Sequence, residues 1–193
     1  MSTPAQKQID QIIRALNEFG KENLVEILRR ISQGMQLLSG GGHCRIYLED
    51  LTMGSLSCAA AENDDLQGVS EPSFPINDSV FPIPQVYQQK QEMAVASLSC
   101  HSRTAGTKDE SSQQSYYLLP ILHLGRAIGV VSLDRSGAEH PPSEPLLQPL
   151  RKLLSGVAPS LNRARKYHQQ LLLARRVDEA KKRQAALFMV KSA

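Results

Sequence analysis

Apolar residues along the first forty positions recur at helical spacing. Ile9, Ile12, Ile13, Leu16 and Phe19 share one face of a segment that stops at Gly20; Leu24, Ile27, Leu28, Ile31, Met35 and Leu38 share a face of a second, which stops at Ser39-Gly40-Gly41-Gly42. Thr3-Pro4 with Gln6 opens the first helix, and Asn23 with Glu26 opens the second, each with the residue types that satisfy the free amides of a first helical turn. The period then falls from 3.6 to 2. Cys44, Ile46 and Leu48 alternate with His43, Arg45, Tyr47 and Glu49, and after a turn around Met53-Gly54 the alternation resumes at Leu56, Cys58 and Ala60. This predicts an antiparallel hairpin with one buried face, on which Cys44 and Cys58 are small core residues.

Prolines at 72, 75, 82 and 84 make residues 62–92 irregular, apart from a short helix over Pro84–Gln91; a strand follows at Met93–Leu98. Ser99–Gln114 is polar without a large apolar residue, the composition of a surface loop. A second apolar hairpin covers Tyr116–His123 and Ala127–Leu133 about Leu124-Gly125-Arg126, with Pro120 counting against a regular central strand unless a bulge accommodates it. Asp134 reads as a turn residue bonding its own backbone. From Ser143 a helix of more than forty residues carries a seam at Leu150, Leu154, Val157, Leu161, Ala164, His168 and Leu171, alternately four and three residues apart, with a bend expected near Pro159. The uncapped apolar end, AALFMVKSA, suggests a piece of a longer protein.

Composition narrows the chemistry. The chain has 193 residues, 41% hydrophobic, with 5% aromatics and no Trp, which disfavours a base-stacking or sugar-stacking surface. Three cysteines without Cys-x-x-Cys spacing argue against a disulfide framework and a structural zinc site, and lead us to expect a reducing, cytoplasmic setting; no apolar run approaches the length that spans a bilayer, so no membrane partner is expected. Residues 151–193 hold eleven Lys or Arg against Asp178 and Glu179, a local charge of +9 on an otherwise acidic chain. On a long helix such a run reads as a solvated face, and nucleic acid is not the expected partner.

The order of these elements, and above all Tyr117-Leu118-Leu119-Pro120-Ile121, Leu124-Gly125-Arg126 and Ala127-Ile128-Gly129-Val130-Val131-Ser132-Leu133-Asp134, resembles the final hairpin of GAF domains, the small-molecule-sensing modules of signalling proteins. Phe74-Pro75-Ile76 and Val86-Tyr87 with Met93-Ala94-Val95 echo the segment that covers the family's pocket. The resemblance spans residues 24–165. It implies an α+β, GAF/PAS-like fold: an antiparallel sheet of five or six strands centred on Cys44–Leu48 and Ala127–Leu133, N-terminal helices, and a long C-terminal helix packed on one face. Residues 1–22 would then form a dimerisation helix, 23–165 the GAF domain, and 166–193 a signalling helix leading to a covalently linked output domain.

Under that resemblance an unidentified small molecule would bind between the sheet and its cover, reached by Phe81, Tyr87, Cys100, His101 and Tyr117, and the sequence names no cofactor or metal. Cys100-His101 is the pair most suggestive of a reactive thiol. Cys100-His101-Ser102-Arg103 only faintly echoes the cysteine segment of free methionine sulfoxide reductase, the cyclic-nucleotide pattern Asn-Lys-x-x-x-Phe-x-x-x-Asp-Glu is missing, and no Walker, Gly-x-Ser-x-Gly or His-Glu-x-x-His motif occurs, so the chain is not expected to be an enzyme. A homodimer is expected, with Ile12, Leu16, Leu154, Val157, Leu161 and His168 in its interface. The rival readings are a dimerisation scaffold without a ligand and a binder of anionic polymers through the +9 helix.

Overall fold

Asn23 accepts a hydrogen bond from the Glu26 amide at 3.1 Å, so the second helix starts where its capping residues place it. The computed structural model describes residues 4–18, 23–40, 43–61, 73–96, 115–134 and 142–191. Helices α1 (Pro4–Glu18) and α2 (Leu24–Ser39) precede strands β1 (Cys44–Asp50), β2 (Ser55–Ala61) and β3 (Ser73–Pro75); α3 (Pro82–Gln89) leads to β4 (Met93–Val95), β5 (Tyr116–His123) and β6 (Arg126–Asp134), and α4 (Glu144–Lys191) ends the chain.

The strands form one antiparallel sheet in the order β3-β2-β1-β6-β5-β4, which puts Cys44–Leu48 and Ala127–Leu133 at its centre as expected. Pro120 is accommodated because β4 pairs only with Tyr116–Leu118, leaving the outer edge of β5 without a ladder where its amide is missing. Leu124 and Gly125, both at positive φ, form the two-residue turn between β5 and β6, shorter than the expected three. Two local expectations fail. Helix α3 opens at Pro82 rather than Pro84, and β3 occupies a stretch expected to be irregular, because a three-residue strand with only Phe74 buried is too short to show a period.

Both faces of the sheet are covered. Cys44, Ile46 and Leu48 meet α1, α2 and α4 in the larger core, while Tyr47, Leu56, Phe74, Tyr116, Leu118 and Val130 meet α3 in a second. This corrects the expectation of a hairpin with one buried face: Tyr47 is fully buried, and Cys58 packs against the α3 side while Cys44 lies on the other. The register of β5 and β6 shifts between Ile121 and Leu122, so Ile128 and Val130, two residues apart, join opposite cores.

The apolar stripe predicted to pair two copies is largely consumed within one chain. Leu16, Leu154, Val157 and Leu161 are buried in the larger core, Ile12 packs against it, and of the six expected interface residues only His168 is exposed. The physical reason is that α1 lies on α2 and α4 of its own chain. A Cβ at Gly156 would come within 2.3 Å of the Ile13 side chain, so this glycine is the notch into which α1 settles. Helix α4 runs through both Pro149 and Pro159 as one helix.

Gly129 marks the tightest approach in the sheet, since an added Cβ would stand 2.4 Å from the Tyr47 carbonyl oxygen and 2.8 Å from Leu48 Cδ2. A backbone oxygen in the central strand has nowhere to go. Gly129→Ala is expected to cost about 3 kcal/mol in urea unfolding, the upper range for overpacking, whereas Gly156→Ala, which meets only a side chain, costs less. Equal losses for the two variants would show that the central strands can separate.

Candidate functional site

Pro82, at the first position of α3, presets the helical turn that lays Ile83, Val86 and Tyr87 on the sheet. Phe81, at its N-cap, stands with its ring 5.4 Å from that of Phe74, which meets the Tyr47 ring edge-on at 5.8 Å. The described part of this cover is therefore filled by aromatic packing. Phe81 and Tyr87 both belong to it. Tyr117 does not: it faces the helical layer, and Tyr116 is the tyrosine that enters the cover cluster. The alternation held the signal, because Tyr117 is in phase with Leu119 and Ile121, whereas Tyr116 is in phase with Leu118. Cys100 and His101 lie outside the described residues.

Charged residues that the sequence reading passed over form two clusters around the sheet. In the first, Tyr117 donates its hydroxyl to Glu92 Oε2 at 2.7 Å, while Arg151 of α4 donates from Nε to Oε1 at 2.6 Å and from Nη2 to Oε2 at 2.9 Å. Arg151 also holds Glu144. Burial, followed by the Glu92 acceptor, pushes the Tyr117 pKa up to about 12, and the Arg151 hydrogen bonds hold the Glu92 carboxyl below its ordinary 4.5. Beside this cluster a groove of about 250 Å³ is lined by Lys90, Leu119, Pro120, Leu122 and Leu154 together with Glu92, Arg151 and Ser155.

The second cluster centres on Glu49, at the end of β1. Its Oε1 accepts from Arg126 Nη2 and its Oε2 from Arg165 Nη1, each at 2.8 Å, with Arg165 only 3% exposed. Asn162 Oδ1 accepts from the same guanidinium at 3.2 Å. Glu49 was expected on an outward face, and the bare alternation of β1 carries no hint that a helix 116 residues later supplies its partner.

Among the described residues no group of three or more His, Cys, Asp or Glu is placed to hold a metal ion, and no helix is long and apolar enough to cross a membrane.

These elements can be set beside known proteins. The family model for the GAF domain matches residues 23–164. The chain belongs to the GAF domain family. No curated protein matches the sequence significantly. Among solved structures, the GAF domain of an Acinetobacter phosphoenolpyruvate-protein phosphotransferase superposes with a TM-score of 0.67 at 18% identity, covering 86% of this chain and 97% of that one. The corresponding domain from Coxiella burnetii gives 0.65 at 16% identity, with 86% and 99% covered. Free methionine-R-sulfoxide reductase of Neisseria meningitidis gives 0.56 at 17% identity, with 86% and 95% covered. The fold thus occurs both as a domain of phosphotransferases and as a reductase, and at these identities the likeness speaks for the fold alone. In this GAF domain α1 is an element that precedes the family match.

The Glu92 cluster has a pH signature. Because the folded protein holds this carboxyl below 4.5, its contribution is fully present above that pH and is lost as pH falls through the lowered value. Glu92→Gln should therefore be less stable than wild type at pH 7, with the difference closing in urea titrations as pH falls through the lowered value. A gap that is constant with pH would mean that the charge on Glu92 contributes nothing.

Proposed function

We propose that this chain is the sensory module of a larger signal-transduction protein. It takes up an unidentified small molecule on the cover face, near Phe81 and Tyr87, and passes the change along α4 to a linked output domain. The observation that carries this reading is the division of α4: residues 147–165 are anchored in the core, whereas every side chain from 170 to 184 is exposed, so the helix extends from its last anchors by roughly 20 Å, at 1.5 Å per residue. A helix fixed at one end and free at the other is suited to carrying a displacement rather than to stabilising a fold. The GAF family supports the assignment.

A regulatory rather than catalytic role is supported by the placement of the two described cysteines, Cys44 and Cys58, in different cores on opposite faces of the sheet, a poor arrangement for a shared thiol site. The competing reading is a scaffold without a ligand, favoured by the aromatic rings that fill the cover. Mass spectrometry of small molecules released from the purified protein, with thermal melts against metabolite libraries, separates the two. A true ligand near 100 times its Kd should raise Tm by about 5–10 °C. Finding neither a released compound nor a shift in Tm would favour the scaffold.

Two copies are proposed to pair along the exposed half of α4, through Leu172 and its neighbours Leu171, Leu173 and Val177, each at least 40% exposed. Leu172→Lys should shift sedimentation from dimer toward monomer without lowering Tm, whereas Leu161→Lys, in the core, should unfold the chain. A monomeric wild-type protein at tens of micromolar would overturn the pairing.

A further inference from the structure

Strand β4 pairs with β5 only as far as Leu118, and the chain reaches it from the end of α3 through Lys90 and Glu92. Beyond Leu118 no described strand closes that edge of β5, and the opening left between the edge and α4 is the groove of about 250 Å³. Its apolar wall is Leu119, Pro120, Leu122 and Leu154. Leu119 and Leu154 belong to the core under the helices, so the groove lies across the sheet from the cover cluster of Phe81 and Tyr87.

Polar groups at the groove are unequally committed. Both Glu92 oxygens are taken, Oε1 by Arg151 Nε and Oε2 by Arg151 Nη2 and the Tyr117 hydroxyl. Arg151 donates once from each nitrogen to Glu92 or Glu144, so Nη1 and Nη2 each keep a second N–H to give. The Lys90 ammonium has no partner among the described residues. Lys90 is held at φ 58° while its amide donates to the Val86 carbonyl at 2.9 Å, a left-handed position where glycine is the residue of least strain. A cation thus stands at the groove at some cost to the backbone.

We propose that this groove binds a small organic acid with an apolar body, its carboxylate on Lys90 and the spare N–H groups of Arg151, its body against Leu119, Pro120, Leu122 and Leu154. Charge complementarity selects the anion: Lys90 and Arg151 line the groove against Glu92 alone, and Glu92 is already satisfied. Size selects a small molecule, because the volume lies just under the roughly 300–1,000 Å³ of ordinary ligand pockets. A peptide strand added to the open edge is disfavoured, since Pro120 has no amide to offer it. The bound acid would touch the end of α3 and the first half of α4 at once, at a site separate from the position near Phe81 and Tyr87 proposed for the sensed molecule.

Benzoate is the probe, titrated into the whole isotope-labelled chain at constant ionic strength and followed by amide chemical shifts. Saturable shifts are expected at Lys90, Leu119, Leu122 and Ser155, with a Kd of about 1 mM for a ligand of so few atoms. Benzyl alcohol, which keeps the ring and loses the charge, should bind roughly tenfold more weakly, and so should benzoate to Lys90→Gln, since each change removes a charge-assisted hydrogen bond. Ser155→Phe, at an exposed position of α4, fills the groove and should abolish the shifts. Shifts that do not saturate, or that fall on Val86 and Tyr87 instead, would overturn the site. So would equal affinity for benzyl alcohol, undiminished affinity in Lys90→Gln or Ser155→Phe, or tighter binding of benzylamine, which would make Glu92 the recognised group. A cover face that takes no ligand leaves this titration unchanged, so the two readings fail separately.

Discussion

Strands β1 and β6 have neighbours on both edges and cores on both faces, and the rest of the structure follows from that enclosure. A central strand pair with no wet face must find apolar cover twice. It finds one in the three helices α1, α2 and α4, and the other in α3 with its aromatic entry. Close approach of the two strands is possible because Gly129 has no side chain to meet the Tyr47 carbonyl. The same enclosure makes the Glu49–Arg165 pair costly to break, since neither group has water to fall back on.

Helix α4 serves two environments with one continuous backbone. Its first half supplies Leu150, Leu153, Val157 and Leu161 to the core, so it cannot leave without unfolding the domain. Its second half is exposed from residue 170 to 184, with Leu172, Leu173 and Arg176 lying beside Asp50 and Thr52 at the β1–β2 turn. The transition falls at Arg165 and Gln169, where the contacts change from apolar packing to hydrogen bonds with the end of β1. Polar contacts at such a junction depend on direction more steeply than packing does, and so are better able to register a small rearrangement of the sheet.

The Tyr117–Glu92–Arg151 cluster gives a second contact of the same type, between the chain just after α3 and the first half of α4. The cover segment is thus joined at Glu92 to the C-terminal helix through a carboxylate.

Local pattern in the sequence was enough for the capped start of α2, both long hairpins, the central position of β1 and β6, and the GAF fold, because each depends on neighbours within a few residues or on a contiguous motif. The heptad seam of α4 was equally legible, but its partner was not. An apolar stripe demands burial and carries no label saying whether another chain or α1 of the same chain provides it; the notch at Gly156 decided in favour of α1. Tyr117 was assigned to the cover although it is in phase with Leu119 and Ile121 of the helical layer, while Tyr116, in phase with Leu118, is the tyrosine on the cover side. Glu49 and Arg165, separated by 116 residues, are ordinary polar residues in sequence. Their meeting is a product of tertiary structure alone, since a buried ion pair has no periodicity, only a geometry that exists once both layers have closed on the sheet.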